Sequence, residues 1–209
     1  MTIKTIPSTN LTRVIIFALL LGVTACKKDN EPAPNPNSVI INGDSYHIVT
    51  LGTQIWTDQN YKGPGGVLHN QTGAHPEYGK YYSYAEVQAL VLPAGWRIPT
   101  MDDYHKLCES QGIIVTNYQA NKQEAIKKLT STVNWLHTPG NNQSGFNAHP
   151  AGYVYNNNPP MDGDISEFWT KSGHTFSIQE GTDSFQRLLF YDNSNSSGYK
   201  FNVRFVKDK

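Results

Sequence analysis

The sequence predicts an α+β domain in which two or three short helices accompany antiparallel strands and long loops. Three observations predict it: a hairpin signature opens the globular part, capped helical segments occupy its middle, and an alternating apolar stretch closes the chain. Val39–Asn42 and Tyr46–Thr50 are strand-like and flank Asn42-Gly43-Asp44, residue types that tolerate the positive φ of a tight turn. A second turn at Leu51-Gly52-Thr53 leads into a short strand over Gln54–Thr57. Lys62–Tyr78 and the residue after it carry five glycines without periodicity, so the segment reads as a loop. Ser83–Leu90 is a short helix. Pro99-Thr100 opens a clearer one, with Thr100 as cap, Asp103 at the third helical position, and Tyr104, Leu107 and Cys108 on one face. Gly112 ends it. Gln123–Thr130 is a third helical candidate, with Ala125, Ile126 and Leu129 turned inward. Short strands and Asn/Gly/Pro-rich loops follow. In the last stretch Phe201, Val203 and Phe205 alternate with Asn202 and Arg204, the pattern of a half-buried strand. No internal repeat is present.

The N-terminus carries an address. Lys4 and Arg13 precede the apolar run Val14–Val23, and the stretch Val23-Thr24-Ala25-Cys26 puts small residues before a cysteine. This is the layout of a secretory signal peptide. The run is ten residues, against the roughly 20 that a membrane-spanning helix needs. A cysteine directly after the cut resembles a lipobox, which implies removal of residues 1–25 and acylation of Cys26. The plainer alternative is a signal peptide with a chance cysteine. Two or more acyl chains hold a protein firmly to a bilayer, so the implied partner is the membrane. Residues 26–38 (through KKDNEPAPNPNS) are charged, then Pro- and Asn-rich, and read as an extended tether. The expected globular domain is 39–209.

Once residues 1–25 are removed, 184 remain, enough for one domain with a core, with 15 basic and 17 acidic residues. No strongly basic face exists for nucleic acid. Only 16% of residues are charged while aromatics reach 11%, a polar but uncharged surface. It suits neutral ligands such as sugars and equally a structural domain. With Cys26 lipidated, Cys108 is the remaining thiol, no intramolecular disulfide forms, and a buried inert cysteine is expected.

Several motifs occur in order: Gln54-Ile55-Trp56 with Asn60; Tyr78-Gly79-x-x-Tyr82; Pro93-Ala94-Gly95-Trp96-Arg97-Ile98-Pro99-Thr100; Ser144-Gly145-Phe146-x-Ala148-x-Pro150-x-Gly152-Tyr153; Phe168-Trp169-Thr170; and Val203-Arg204-Phe205-Val206. From about Val39 to Asp208 this series resembles the Fibrobacter succinogenes major paralogous domain family. The resemblance implies a C-type-lectin-like fold, shared with formylglycine-generating enzymes, with helices packed on a twisted antiparallel sheet. It also implies a lipoprotein of Bacteroidetes-like bacteria. The implied location is the outer membrane, and Asp29 and Glu31 beside Lys27 and Lys28 resemble the charged signals that send such lipoproteins to the cell surface. Relatives commonly carry cysteines where this chain has Leu92 and Phe205. If those pair in relatives, an apolar Leu92–Phe205 contact is expected here instead.

Motifs for catalysis are missing. The formylglycine-generating branch uses a cysteine pair for copper, which a single free thiol excludes. No His-Glu-x-x-His, Cys-x-x-Cys or Gly-x-Ser-x-Gly occurs. A non-enzymatic binding protein is therefore expected, with a structural envelope component as the alternative. Its ligand would be a glycan or a host or envelope protein. Tyr153 and Tyr155, followed by Asn156 and Asn157, are the candidate ligand-binding residues: rings to stack on a sugar and amides to bond its hydroxyls. No cofactor is expected. Asp162, Asp164 and Glu167 are the oxygen-rich stretch from which a calcium site would be built, and a polar loop leading into a strand is the plainer account. His69 and His75 share the glycine-rich loop, as a metal pair or, more simply, as solvated side chains. Trp96 and Trp169 are expected in the core.

Overall fold

A computed structural model describes residues 35–209. The leader, Cys26 and the first residues of the tether lie outside the described residues. Asn37 already joins the sheet, accepting from the Ile48 amide at 3.0 Å, so the ordered domain starts slightly before the expected boundary.

The expected hairpin is Ser38–Ile41 (β1) and Asp44–Leu51 (β2), with Ile41 opposite Asp44. Asn42 (φ 50) and Gly43 (φ 90) both hold positive φ, which matches a two-residue turn to the strand twist. Gln54–Thr57 (β3) returns against β2. Val67–Leu68 (β4) and Lys80–Tyr81 (β5) pair and close the glycine-rich loop. Two α-helices follow, Tyr84–Gln88 (α1) and Met101–Ser110 (α2). Each opens with a capping box, Ser83 with Glu86 and Thr100 with Asp103. The hydroxyl accepts from the third helical amide while the acid accepts from the cap amide, so two otherwise orphaned donors are satisfied. The third helical candidate is instead a 3₁₀ turn, Glu124–Lys128, with no side-chain cap. Five uncapped residues are too few to sustain α-helix, yet Ile126 and Leu129 are buried as expected.

The remaining strands are Gln119–Asn121 (β6), Val154–Tyr155 (β7), Ile165–Trp169 (β8), His174–Glu180 (β9), Gln186–Asp192 (β10), Tyr199–Lys200 (β11) and Val206–Asp208 (β12). One four-stranded sheet runs β1-β2-β3-β12 and a second runs β6-β10-β9-β8, with β7–β11 and β4–β5 as two-stranded ribbons. All named strand pairs are antiparallel. The domain is thus α+β and dominated by antiparallel sheet.

Helix α2 lays Tyr104, Leu107 and Cys108 on the principal core with Trp56, Phe146, Phe168 and Phe176. Tyr104 stacks on Phe176 with ring centroids 4.4 Å apart. Burial pushes the Cys108 thiol up to about 12, so it stays protonated and inert. A second core gathers Ile41, Tyr61, Tyr82, Trp169 and Phe205. Leu92 and Trp96 pack against it, so Leu92 adjoins the apolar cluster that holds Phe205. Every core cluster draws only on residues 39–206, and Pro34–Lys209 forms a compact unit. That segment therefore holds what independent folding requires.

The C-terminal stretch departs from expectation. Phe201 bridges Tyr82, Asn202 bridges Phe168, and Arg97 bridges Val206, while regular strand is confined to β12. All of Phe201–Val206 is buried, including Asn202 and Arg204. The stretch links the two sheets, so protein covers both its sides. Alternation alone carries no information about a second covering layer.

Candidate functional site

Strand β4 and the 3₁₀ turn His69–Gln71 that follows it form one wall of a surface cleft of about 170 Å³. The other wall is built by β7 and the turn after it. Asn156 (φ 48) and Asn157 (φ 59) both adopt left-handed conformations, and the Asn158 amide donates to the Tyr155 carbonyl at 2.9 Å, closing the turn. Consecutive asparagines suit this geometry because their short polar side chains tolerate positive φ. Gly152, just before β7, is required by close approach. A Cβ there would sit 1.6 Å from the Met161 carbonyl oxygen.

The lining is aliphatic and amide. Val67, Leu68, Val154, Pro159 and Pro160 supply the apolar part, and Asn70, Gln71, Asn157 and Asn158 the polar part. Lys200 Nζ donates to Asn157 Oδ1 at 2.5 Å, which occupies the amide oxygen of this lining residue and leaves its N–H groups as donors. A wider groove lies between the end of α2 and Val115, lined by His105, Glu109 and Gly112–Val115. It offers few hydrogen-bonding side chains, so it is the poorer candidate for an oriented polar ligand.

The cleft walls are fastened from beneath. His69, buried between lining residues Leu68 and Asn70, places Nε2 3.1 Å from Asp162 Oδ2. Asp162 lies two residues beyond Pro160, so this pair ties one wall to the other across 93 residues of sequence. His75 abuts the His69 ring edge-on with centroids 4.7 Å apart, stacks on Tyr78, and bonds Glu77 at 2.9 Å. Glu77 also accepts from Asn134, and these contacts hold its carboxyl below the ordinary range.

These positions correct several expectations. His69 is buried rather than solvated. His69 and His75 do meet, but each is engaged by its own carboxylate. Among the described residues no three His, Cys, Asp or Glu side chains gather as a metal site. The acidic trio is divided accordingly. Asp162 faces His69, while Glu167 points into the core, where Thr175 Oγ1 donates to it at 2.5 Å. Asp164 contributes its carbonyl to the Glu180 amide. Burial lifts the Glu167 carboxyl to about 7, the opposite of what a calcium ligand needs.

The proposed ligand quartet is also split. Asn157 lines the cleft and Asn156 shapes its turn. Val154 lines the cleft and Tyr155 follows it in the strand, so their side chains take opposite faces of the ribbon. Tyr155 packs on Tyr199 with centroids 4.6 Å apart, and Tyr153 packs on Tyr199 at 5.6 Å. Trp169 is buried as expected, whereas Trp96 is half-buried and packs on the margin of the second core. The wall Val67–Gln71 was not foreseen, because nothing local relates it to residues 157–160.

No curated protein and no solved structure matches the chain. The model of one family, the Fibrobacter succinogenes major domain, matches residues 41–207, a span that holds the cleft, the whole second sheet and the first sheet apart from most of β1 and the last residue of β12. The chain therefore belongs to the Fibrobacter succinogenes major domain family.

Proposed function

We propose that this protein is a lipid-anchored, non-enzymatic component of the outer membrane, exposed at the cell surface, that binds a neutral glycan through the loop cleft of a C-type-lectin-like domain. The observation that carries the reading is the cleft lining, five aliphatic and four amide residues with no charged side chain. Amides both donate and accept, as sugar hydroxyls require. Exposed apolar side chains stand near the same loops: Leu68 on the cleft, Met161 beyond Pro160, and Leu136 against Gly163. Clustered exposed apolar residues mark interaction surfaces more often than inert ones. A purely structural envelope role, without a ligand, is the alternative.

The test is a binding screen of the Pro34–Lys209 chain against neutral oligosaccharides and matrix proteins, with and without calcium. Saturable glycan binding unaffected by calcium, and weakened about tenfold or more by Asn157→Ala, is the expected result. Tyr155→Ala, on the opposite face of the ribbon, leaves binding unchanged. Absence of any neutral ligand leaves the structural role. The anchor is tested in cells, where an alkynyl fatty acid labels the wild type and Cys26→Ala abolishes the label. Equal labelling of both overturns lipidation at that residue.

A further inference from the structure

We propose that the cleft recognises the acetamido group of an N-acetylated amino sugar. The inference rests on the glycan reading above and names its ligand class. No aromatic ring lines the cleft, so it offers no flat platform for a pyranose face. Its apolar part is built from Val67, Leu68, Val154 and two prolines. Branched aliphatic and pyrrolidine groups around a narrow recess enclose a methyl group well, and burying one such carbon is worth roughly 0.8 kcal/mol.

An acetamide presents one methyl, one N–H donor and one C=O acceptor. Asn70 and Gln71 on one wall and Asn157 and Asn158 on the other carry the complementary donors and acceptors. Asn157, its oxygen already occupied by Lys200, is left to act as a donor to the acetyl oxygen. No carboxylate lines the recess, so the ammonium of a deacetylated sugar finds no counter-charge there. Volume sets the remaining constraint. At about 170 Å³ the cleft is smaller than the ~300–1,000 Å³ of sites that enclose a whole small molecule. It takes one group of a longer chain, and the His69–Asp162 tie holds the walls in place before the ligand arrives, which lowers the ordering cost of binding.

The experiment is calorimetric titration of the Pro34–Lys209 chain with three trisaccharides: triacetylchitotriose, its deacetylated glucosamine counterpart, and cellotriose. Triacetylchitotriose binds at least about tenfold more tightly than either of the others, the margin expected when a built amide partner is lost. Leu68→Ala, a half-exposed wall position whose truncation leaves the cores intact, weakens the acetylated sugar and narrows that margin. A glycopeptide bearing N-acetylgalactosamine distinguishes the source, since binding to it alone assigns the acetamide to a terminal host-type glycan rather than a wall-type chain. Measurable and equal binding of triacetylchitotriose and cellotriose overturns the acetamide assignment while the glycan reading stands. No binding to any of the four probes overturns both.

Discussion

Replacing Arg204 with methionine lowers the unfolding free energy by about 3–5 kcal/mol, the largest effect expected of any single substitution in this domain. The side chain is fully buried. Nε donates to Asn60 Oδ1 at 2.5 Å, Nη1 to the Thr57 and Phe146 carbonyls at 2.9 and 2.8 Å, and Nη2 to the Asn147 carbonyl at 3.1 Å. The guanidinium lies over the rings of Phe146 and Phe168, 4.8 and 5.4 Å from their centroids. No carboxylate is bonded to it. The charge is carried by oriented carbonyls and ring faces, with Asp58 further off. Burial pulls Arg204 down only to about 10, so it remains a cation at neutral pH.

Methionine restores part of the volume but removes the donor from three buried acceptors and one part-buried one, at roughly 1–3 kcal/mol for each buried one before relaxation. Lysine keeps the charge and loses the planar fork that reaches two chain segments, 57–60 and 146–147, so Arg204→Lys costs at least about 2 kcal/mol. Urea unfolding of the three proteins measures both. A lysine variant as stable as wild type would show that charge alone suffices. A methionine variant within about 1 kcal/mol would remove the network from the account of stability.

This position also shows where the sequence was readable and where it was not. The first hairpin, β3 and both capped helices were legible because their signals are local: a turn residue, a cap, or an acid three positions on. The caps at Ser83 and Thr100 satisfy their donors within four residues, so no distant partner enters the reading. Arg204 was misplaced because its burial depends on Thr57, Asn60, Phe146 and Asn147, all at least 57 residues away. The cleft was half-legible for the same reason. The asparagine turn at Asn156–Asn157 announces itself, but its opposing wall comes from a loop some 90 residues earlier. Tyr155 was grouped with those asparagines by adjacency in sequence, and strand alternation sent it to the other face. The family motifs are structural in their visible roles. Phe146 and Arg204 meet in the core, Gly152 passes under Met161, and Thr100 caps α2. What distinguishes this member lies in the loops between those motifs.

Glu167→Gln raises stability by about 2–3 kcal/mol at pH 8 and changes it little at pH 4.5. Glu167 sits on β8 facing the core, and desolvation lifts its carboxyl from 4.5 to about 7, opposed by the bond from Thr175. The sign follows from linkage. Below pH 4.5 the carboxyl is protonated in both folded and unfolded chains, and its burial adds no charge penalty. Between 4.5 and 7 the unfolded chain releases the proton and the folded chain retains it, so stability falls as pH rises and levels off above 7. That separation corresponds to roughly 3 kcal/mol at 1.36 kcal/mol per pH unit. Glutamine keeps the shape and an oxygen for Thr175 Oγ1 but cannot ionise, so the slope attributable to this residue vanishes. Urea midpoints of both proteins at pH 4.5, 6 and 8 isolate it, because every other titrating group contributes equally to the two curves. A glutamine variant no more stable than wild type at pH 8 would mean that water reaches Glu167 in the folded state. That same access is what a calcium ligand at this position would need, so a pH slope carried by Glu167 identifies a core carboxyl and rules out a cation ligand there.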